Sequence, residues 1–265
     1  MTTSETRTVT IAEHRGRWAT LRIDNPPVNL LDDRVYGELA AALERFEADP
    51  EMRVVVLESA DPEFFAAHFD VALTQEQNAA AQQAYSKILA ALRSPRLVSI
   101  AKIRGRARGG GHELTLACDM RFACAETAIM GQPEIKGRLF PGGGAMQMLP
   151  ALIGRARALE MILSGRDIDA ATAERYGVIN RAIPDAELDD FVDTLAARIA
   201  EFDSTPSELA KAAVDRRYLP ALEDFLQDVA EFRELLESPE TVAAVRAQLA
   251  AGLQTRGPLE FSLGD

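Results

Sequence analysis

The sequence predicts a mixed α/β chain whose last third is helical, and three observations carry that expectation. β-Branched runs such as Val54-Val55-Val56-Leu57 are continuous rather than alternating, the pattern of strands covered on both faces. Amphipathic segments fall between those runs, at the spacing of strand–helix–strand crossovers in a parallel sheet. From Ala145 onward, helical signals dominate.

Taken in order, Thr8–Ala12 and Trp18–Ile23 read as a hairpin around the turn Glu13-His14-Arg15-Gly16. Past Asp24-Asn25-Pro26-Pro27, the segment Asp33–Ala48 reads as a helix with Asp32 or Asp33 as N-cap. The buried strand at Val54 follows, then a loop from Ser59 to Asp70, a helix Gln75–Arg93 and a second buried strand Leu97–Ile103. A helix His112–Cys118 and a strand Met120–Ala125 come next. Further helices are expected at Met146–Ile153, Ala156–Leu163, Ala170–Tyr176, Leu188–Phe202, Ser207–Tyr218, Leu222–Leu236 and Pro239–Ala251, with Gln254–Asp265 as a loose tail. No internal repeat of fixed period is visible.

At 265 residues, 47% hydrophobic and 26% charged, the chain can bury a large core. Asp and Glu number 41 against 29 Lys and Arg, a net charge of −12 that disfavours nucleic acid or an anionic membrane as partner. Cys118 and Cys124 sit in an apolar stretch outside any C-x-x-C pair and are expected to be core thiols. His14, His68 and His112 are scattered singly, so no metal site is expected. Met1–Thr10 is polar and no apolar run reaches membrane length, which predicts a cytoplasmic protein.

The most informative stretch is Gly105-Arg106-Ala107-Arg108-Gly109-Gly110-Gly111-His112-Glu113-Leu114. Three glycines between a strand and a helix let the backbone approach a ligand and aim amide N–H groups at it, with the helix dipole assisting. Neither a Walker A lysine nor G-x-G-x-x-G spacing is present, so phosphate-loop chemistry is not indicated.

This stretch resembles the G-x-A-x-G-G-G-x-E-L motif of the crotonase (enoyl-CoA hydratase/isomerase) superfamily. Phe64-Phe65-Ala66-Ala67-His68-Phe69-Asp70-Val71 resembles that family's first oxyanion loop, and Gly131-Gln132-Pro133-Glu134-Ile135 its second glutamate motif. Pro141-Gly142-Gly143-Gly144 and the run from Gly165 to Ile179 continue the likeness, which spans Ile23 to Ile183 in the right order. The resemblance implies a ββα spiral of the ClpP/crotonase type over residues 1–200 and a helical trimerisation or lid region over 201–265, assembled as homotrimers or hexamers.

For the site, the resemblance implies oxyanion donors at the amides of Phe69 and Gly110 and two catalytic carboxyls, Glu113 and Glu134. Conjugate addition of water to an enoyl thioester builds charge on the carbonyl oxygen, which such amides stabilise, and two carboxyls can divide water activation from proton delivery. Like charges brought together also push one pKa up. The implied activity is hydration of a trans-2-enoyl-CoA to a 3-hydroxyacyl-CoA, with no metal or redox cofactor and coenzyme A only as part of the substrate. The alternatives are a Δ3,Δ2-enoyl-CoA isomerase, a thioester hydrolase, a secondary-metabolic dehydratase or a non-catalytic acyl-CoA binder. Substrate contacts are expected at Val28, Leu30, Ala66, His68, Asp70, Arg106, Pro133, Pro141 and Gly142, with Arg22, Arg34, Arg104 and Arg108 as further phosphate candidates.

Three positions depart from the family pattern. His68 stands where glycine is usual, a costly exchange if φ there is positive, and is read mainly as a structural filler of the loop. Lys136 and Arg138 make the segment after Glu134 more polar than is common in hydratases. His112, about 100° round the helix from Glu113, is assigned a structural role, and Trp18, Tyr36 and Tyr85 are read as packing residues.

Overall fold

The computed structural model describes residues 7–265; positions 1–6, part of the polar start noted above, lie outside the described residues. The hairpin forms as β1 (Val9–Arg15) and β2 (Trp18–Ile23), and α1 (Asp33–Ala48) is capped by Asp32, whose Oδ1 accepts from the Val35 amide at 2.8 Å. Its buried stripe of Val35, Tyr36, Leu39, Ala40, Leu43 and Phe46 has helical period.

Three turns then repeat one plan: a long strand, a short strand, a helix. The first is β3 (Val54–Ser59), β4 (Phe64–Ala66) and α2 (Gln75–Leu92), the last opened by a Thr74/Gln77 capping box. The second is β5 (Val98–Ile103), β6 (Arg106–Arg108) and α3 (Gly110–Ala117). The third is β7 (Met120–Cys124), β8 (Ile129–Gly131), a 3-10 turn at Glu134–Gly137, α4 (Ala145–Ile153) and α5 (Arg155–Ser164). After β9 (Ile168–Asp169), α6 (Ala170–Tyr176) and β10 (Arg181–Ile183), the chain is helical: α7 (Asp185–Glu201), α8 (Ser204–Tyr218), α9 (Leu222–Leu236), α10 (Pro239–Ala250) and α11 (Pro258–Phe261).

The long strands, with the short β10 at one edge, form one sheet, β1-β2-β3-β5-β7-β10, parallel except for the first pair. The other short strands form a second, β4-β6-β8-β9, parallel except for β9. Val54 to Leu57 are fully buried, as their unbroken apolar run requires. The turns open at Val54, Val98 and Met120, so they differ in length and leave no fixed period in the sequence. Cys118 and Cys124 are buried free thiols, and burial pushes Cys118 up to about 12. No helix among the described residues is long and apolar enough to cross a membrane.

Two expectations are corrected. The loop from Ser59 to Asp70 contains β4, a strand of three residues, and β6, β8, β9 and β10 are equally short; runs of two or three residues are too brief to show a period. The supposed loose tail is anchored. Arg108, 1% exposed, donates to both Asp167 oxygens, to the Glu260 carbonyl at 2.5 Å and to the Phe261 carbonyl at 3.0 Å. Lys136 Nζ holds the Leu263 and Asp265 carbonyls at 2.8 Å each, and the Asp167 amide donates to the Gly264 carbonyl. Polar composition concealed this, because each anchor is a long-range partner.

Removing one member of a buried ion pair strands the other, at a typical cost of about 3–5 kcal/mol. Asp167→Ala is therefore expected to lower unfolding stability by that order in urea denaturation and to expose the tail to proteolysis. A loss below about 1 kcal/mol would show that Arg108 does not depend on this partner.

Candidate active site

The triple-glycine loop brings the first turn of α3 against the end of β4. Gly109 takes φ +47°, a left-handed value that suits glycine. Gly111 has no room for a side chain, since a Cβ there would overlap the Ala66 carbonyl. This contact draws two backbone amides together: a Cβ built on Gly110 would lie 3.3 Å from the Phe69 nitrogen. Neither the Phe69 nor the Gly110 amide donates to another described residue. Phe69 is held in place from both sides, by Leu31 N–H donating to the His68 carbonyl at 3.0 Å and Asp70 N–H to the Leu31 carbonyl at 3.1 Å.

Glu113, on α3, is 4% exposed, and its Oε1 accepts from the amides of Gly143 at 2.7 Å and Ala145 at 3.1 Å. Those donors sit at the start of α4, where the helix dipole favours a carboxylate. Burial outweighs them and pushes the Glu113 pKa up to about 7, with the Asp228 charge adding to the rise. Glu134 lies across the loop, its Oε1 2.6 Å from where a Cβ on Gly109 would stand. Burial, then the Glu113 charge, holds its pKa well above the usual carboxylate range. The two acids thus share a site that resists a double negative charge.

A cavity of about 420 Å³ opens beside them. Its wall includes Tyr36, His68, Phe69, Tyr85, Phe225 and Phe232, with Glu113, Glu134, Pro133 and Gly142 also reaching it. Tyr36 stacks on Phe69 at 6.3 Å, and Tyr85 donates to the Gly143 carbonyl at 2.6 Å. Both tyrosines therefore shape the site rather than merely filling the core; helical periodicity marks them as inward-facing and says nothing about what lies inside. Phe225, Phe232, Leu253 and Leu263 come from the C-terminal region, which carries no motif to announce them.

His68 is not among the residues of positive φ, so the loop accepts it without backbone strain. Its Nδ1 donates to the Phe69 carbonyl at 2.8 Å and its Nε2 lies 3.4 Å from the fully buried Glu260, which raises its pKa against the effect of burial. His68 thus has a partner in the tail that no local pattern announced, and its ring also lines the cavity. Val28 and Ala66 are buried, Leu30 is half-buried, and Asp70 accepts from Gln254 at 3.0 Å. Of the expected substrate contacts, His68, Pro133 and Gly142 line the cavity, whereas Val28, Leu30, Ala66, Asp70, Arg106 and the buried Pro141 do not.

Most of the arginines considered for phosphate are engaged internally. Arg106 lies over the rings of Phe64 and Phe261, which meet edge to face, and donates to the Phe261 carbonyl. Arg22 pairs with Glu58, Arg104 with Asp185 and Asp189, and Arg108 with Asp167, while Arg34 is exposed at the start of α1. Lys136 serves the tail and Arg138 points outward. Among the described residues no group of three His, Cys, Asp or Glu could hold a metal ion.

Two nested sheets wound by ββα turns, with glycine-loop amides facing a buried acid pair, define a crotonase-type protein. The enoyl-CoA hydratase/isomerase family model matches residues 14–254, and the chain belongs to that family. A crystal structure from Streptomyces avermitilis, of a protein classed with the enoyl-CoA hydratases, superposes with a TM-score of 0.92 at 41% identity, covering 100% of this chain and 98% of that one. The probable enoyl-CoA hydratase echA8 of Mycobacterium bovis is 32% identical over 254 residues, 94% of this chain and 96% of the relative. The carnitinyl-CoA dehydratase of Salmonella enteritidis is 34% identical over 201 residues, 75% of each.

A carboxyl whose folded pKa is raised makes the folded state bind more protons than the unfolded one between about pH 4.5 and 7, so its contribution to stability falls as pH rises through that window. Glu113→Gln, which cannot ionise, is expected to be more stable than wild type at pH 8 by on the order of 2 kcal/mol in urea titrations, with the gain vanishing near pH 4. Equal stability at both pH values would show that Glu113 ionises normally.

Proposed function

We propose that the chain is an enoyl-CoA hydratase, adding water syn across a trans-2-enoyl-CoA to give a 3-hydroxyacyl-CoA. What carries this reading is the pair of raised-pKa carboxyls, one fixed by the Gly143 and Ala145 amides, beside two undonated backbone N–H groups. The Phe69 and Gly110 amides receive the thioester oxygen as negative charge develops on it. Glu113, the better solvated of the two by hydrogen bonds, is the carboxylate that orients water and accepts its proton. Glu134, held protonated, delivers a proton to the α-carbon while the water oxygen bonds to the β-carbon. The product then carries the added H and OH, and the pair recovers its single proton. No metal or redox step is needed for this balance.

The acyl group occupies the cavity beside Tyr36, Tyr85 and Phe232, and the pantetheine and adenine lead out past the half-buried Leu30, which the fully buried Val28 and Ala66 back from behind. The exposed apolar side chains Leu209, Val214 and Tyr218 on α8, a helix with no buried residue, support assembly with further copies of the chain as trimers or hexamers.

Decay of the enoyl-thioester absorbance with short, medium and aromatic enoyl-CoA substrates tests the proposal. Wild type is expected to turn over, with kcat lowered about 10²–10⁴-fold in Glu113→Gln and in Glu134→Gln while acyl-CoA binding persists. Intact binding without any absorbance loss in wild type would move the assignment to isomerase, hydrolase or acyl-CoA binder.

A further inference from the structure

His112 is fully buried one residue before Glu113, and the turn of the helix sends it to the far side of the site. Its Nδ1 lies 3.2 Å from the side-chain amide of Gln132, itself fully buried, and its Nε2 has no hydrogen-bond partner. Burial, then the Arg121 charge, holds its pKa down to about 3 against a smaller upward pull from the Gly131 backbone, so the ring is neutral and carries one proton. Placing that proton on Nε2 would bury an unpaired donor, which costs more than an unpaired acceptor in the same place. The proton therefore belongs on Nδ1.

A donor at Nδ1 requires the oxygen of Gln132 to face it. With the amide so turned, the nitrogen donates to Oε1 and Oε2 of Glu134, 3.1 Å each, and both neighbours of Gln132 are satisfied. The opposite orientation sets the amide oxygen against the Glu134 oxygens. We propose that His112 is a positioning residue: through its Nδ1–H it locks the Gln132 amide so that both oxygens of Glu134 receive a fixed donor. This deepens, and rests on, the assignment of Glu134 as the acid/base of the hydration.

The lock has a chemical consequence. An NH₂ group offers hydrogens only, so the proton carried by Glu134 cannot lodge between the two side chains and stays on the lone pairs left for the substrate. The same donor favours the carboxylate when that proton leaves, opposing the burial and the Glu113 charge that raise the pKa. The other charges around the relay are Arg121 from β7 beside His112, Asp228 from α9 beside Glu113, and His68, whose Cβ stands 3.3 Å from a Cβ on Gly109.

Two measurements test the relay. In wild-type protein labelled with ¹⁵N-histidine, the ring whose signals are lost in His112→Asn is expected to be neutral with its proton on Nδ1; an Nε2–H tautomer for His112 overturns the proposal whether or not the protein is an enzyme. In turnover assays His112→Leu is expected to cut kcat about tenfold with little change in KM and to move the alkaline limb of the pH profile up by about one unit, since one lost charge-assisted donor is worth roughly that. His112→Asn, whose amide nitrogen replaces Nδ1, is expected to restore both. Adding His112→Leu to Gln132→Met is expected to cost nothing further. A folded His112→Leu with wild-type kcat and pH limbs overturns the relay alone, whereas a wild type inactive on every enoyl-CoA overturns the hydration assignment and leaves the tautomer to decide the lock. Should His112→Leu fail to fold, the wild-type tautomer and the Asn variant still give the answer.

Discussion

The distance at which the first turn of α3 can lie against β4 governs the rest of this molecule. At Gly111 the two backbones meet with no side chain between them, the neighbour being the Ala66 carbonyl. The separation of the Phe69 and Gly110 amides is thus set by backbone geometry: β4 on β6, and Phe69 bridged to Leu31. Donors held by strands and a helix end need no reorganisation when charge develops before them, which is the condition under which such groups act most strongly. Gly109 contributes the turn that makes the approach possible.

Electrostatically, no ion pair among the described residues reaches Glu113 or Glu134, although Arg93 and His68 line the same cavity. Lys102, Arg104, Arg22 and Arg108 are paired with carboxylates elsewhere, so a chain of net charge −12 leaves its two central acids to be managed by neutral dipoles. Amides at the start of α4 stabilise Glu113, and apolar surroundings disfavour a second charge on Glu134. A salt bridge to either acid would lower its pKa and leave the pair with no proton to transfer near neutrality. The aromatic lining of the cavity serves this end as much as it serves substrate contact.

Much of this was legible in the residues. The long strands and α1, α6 and α9 follow apolar periodicity closely, and the motif residues Phe69, Gly110, Glu113 and Glu134 come together at one cavity. What escaped were features with no local signature. The strands of the second sheet are too short to display a period, and the tail owes its order to Arg108, Asp167 and Lys136, distant in the chain. Basic residues invite the thought of phosphate, yet Arg106 rests against Phe64 and Phe261, a contact that only the fold reveals. His112 is the subtler case: neighbouring positions on a helix do point apart, and here pointing apart delivers the ring to the other side of Glu134 through Gln132.

The groups proposed to carry out the chemistry lie between Phe69 and Ala145, whereas Phe225, Val229, Phe232, Val245, Leu253 and Leu263 reach the same cavity from α9, α10 and the tail. Much of the chamber's shape is therefore inherited on a stretch of chain that carries none of the reacting groups. Substitution at Phe225, Val229, Phe232, Val245, Leu253 or Leu263 can remodel the chamber for a new acyl group without touching the acids or the amides, provided that Asp228, Gln254 and Glu260 of the same stretch, which act on Glu113, Asp70 and His68, are kept. A scaffold so divided can diversify its substrates without first surrendering its reaction.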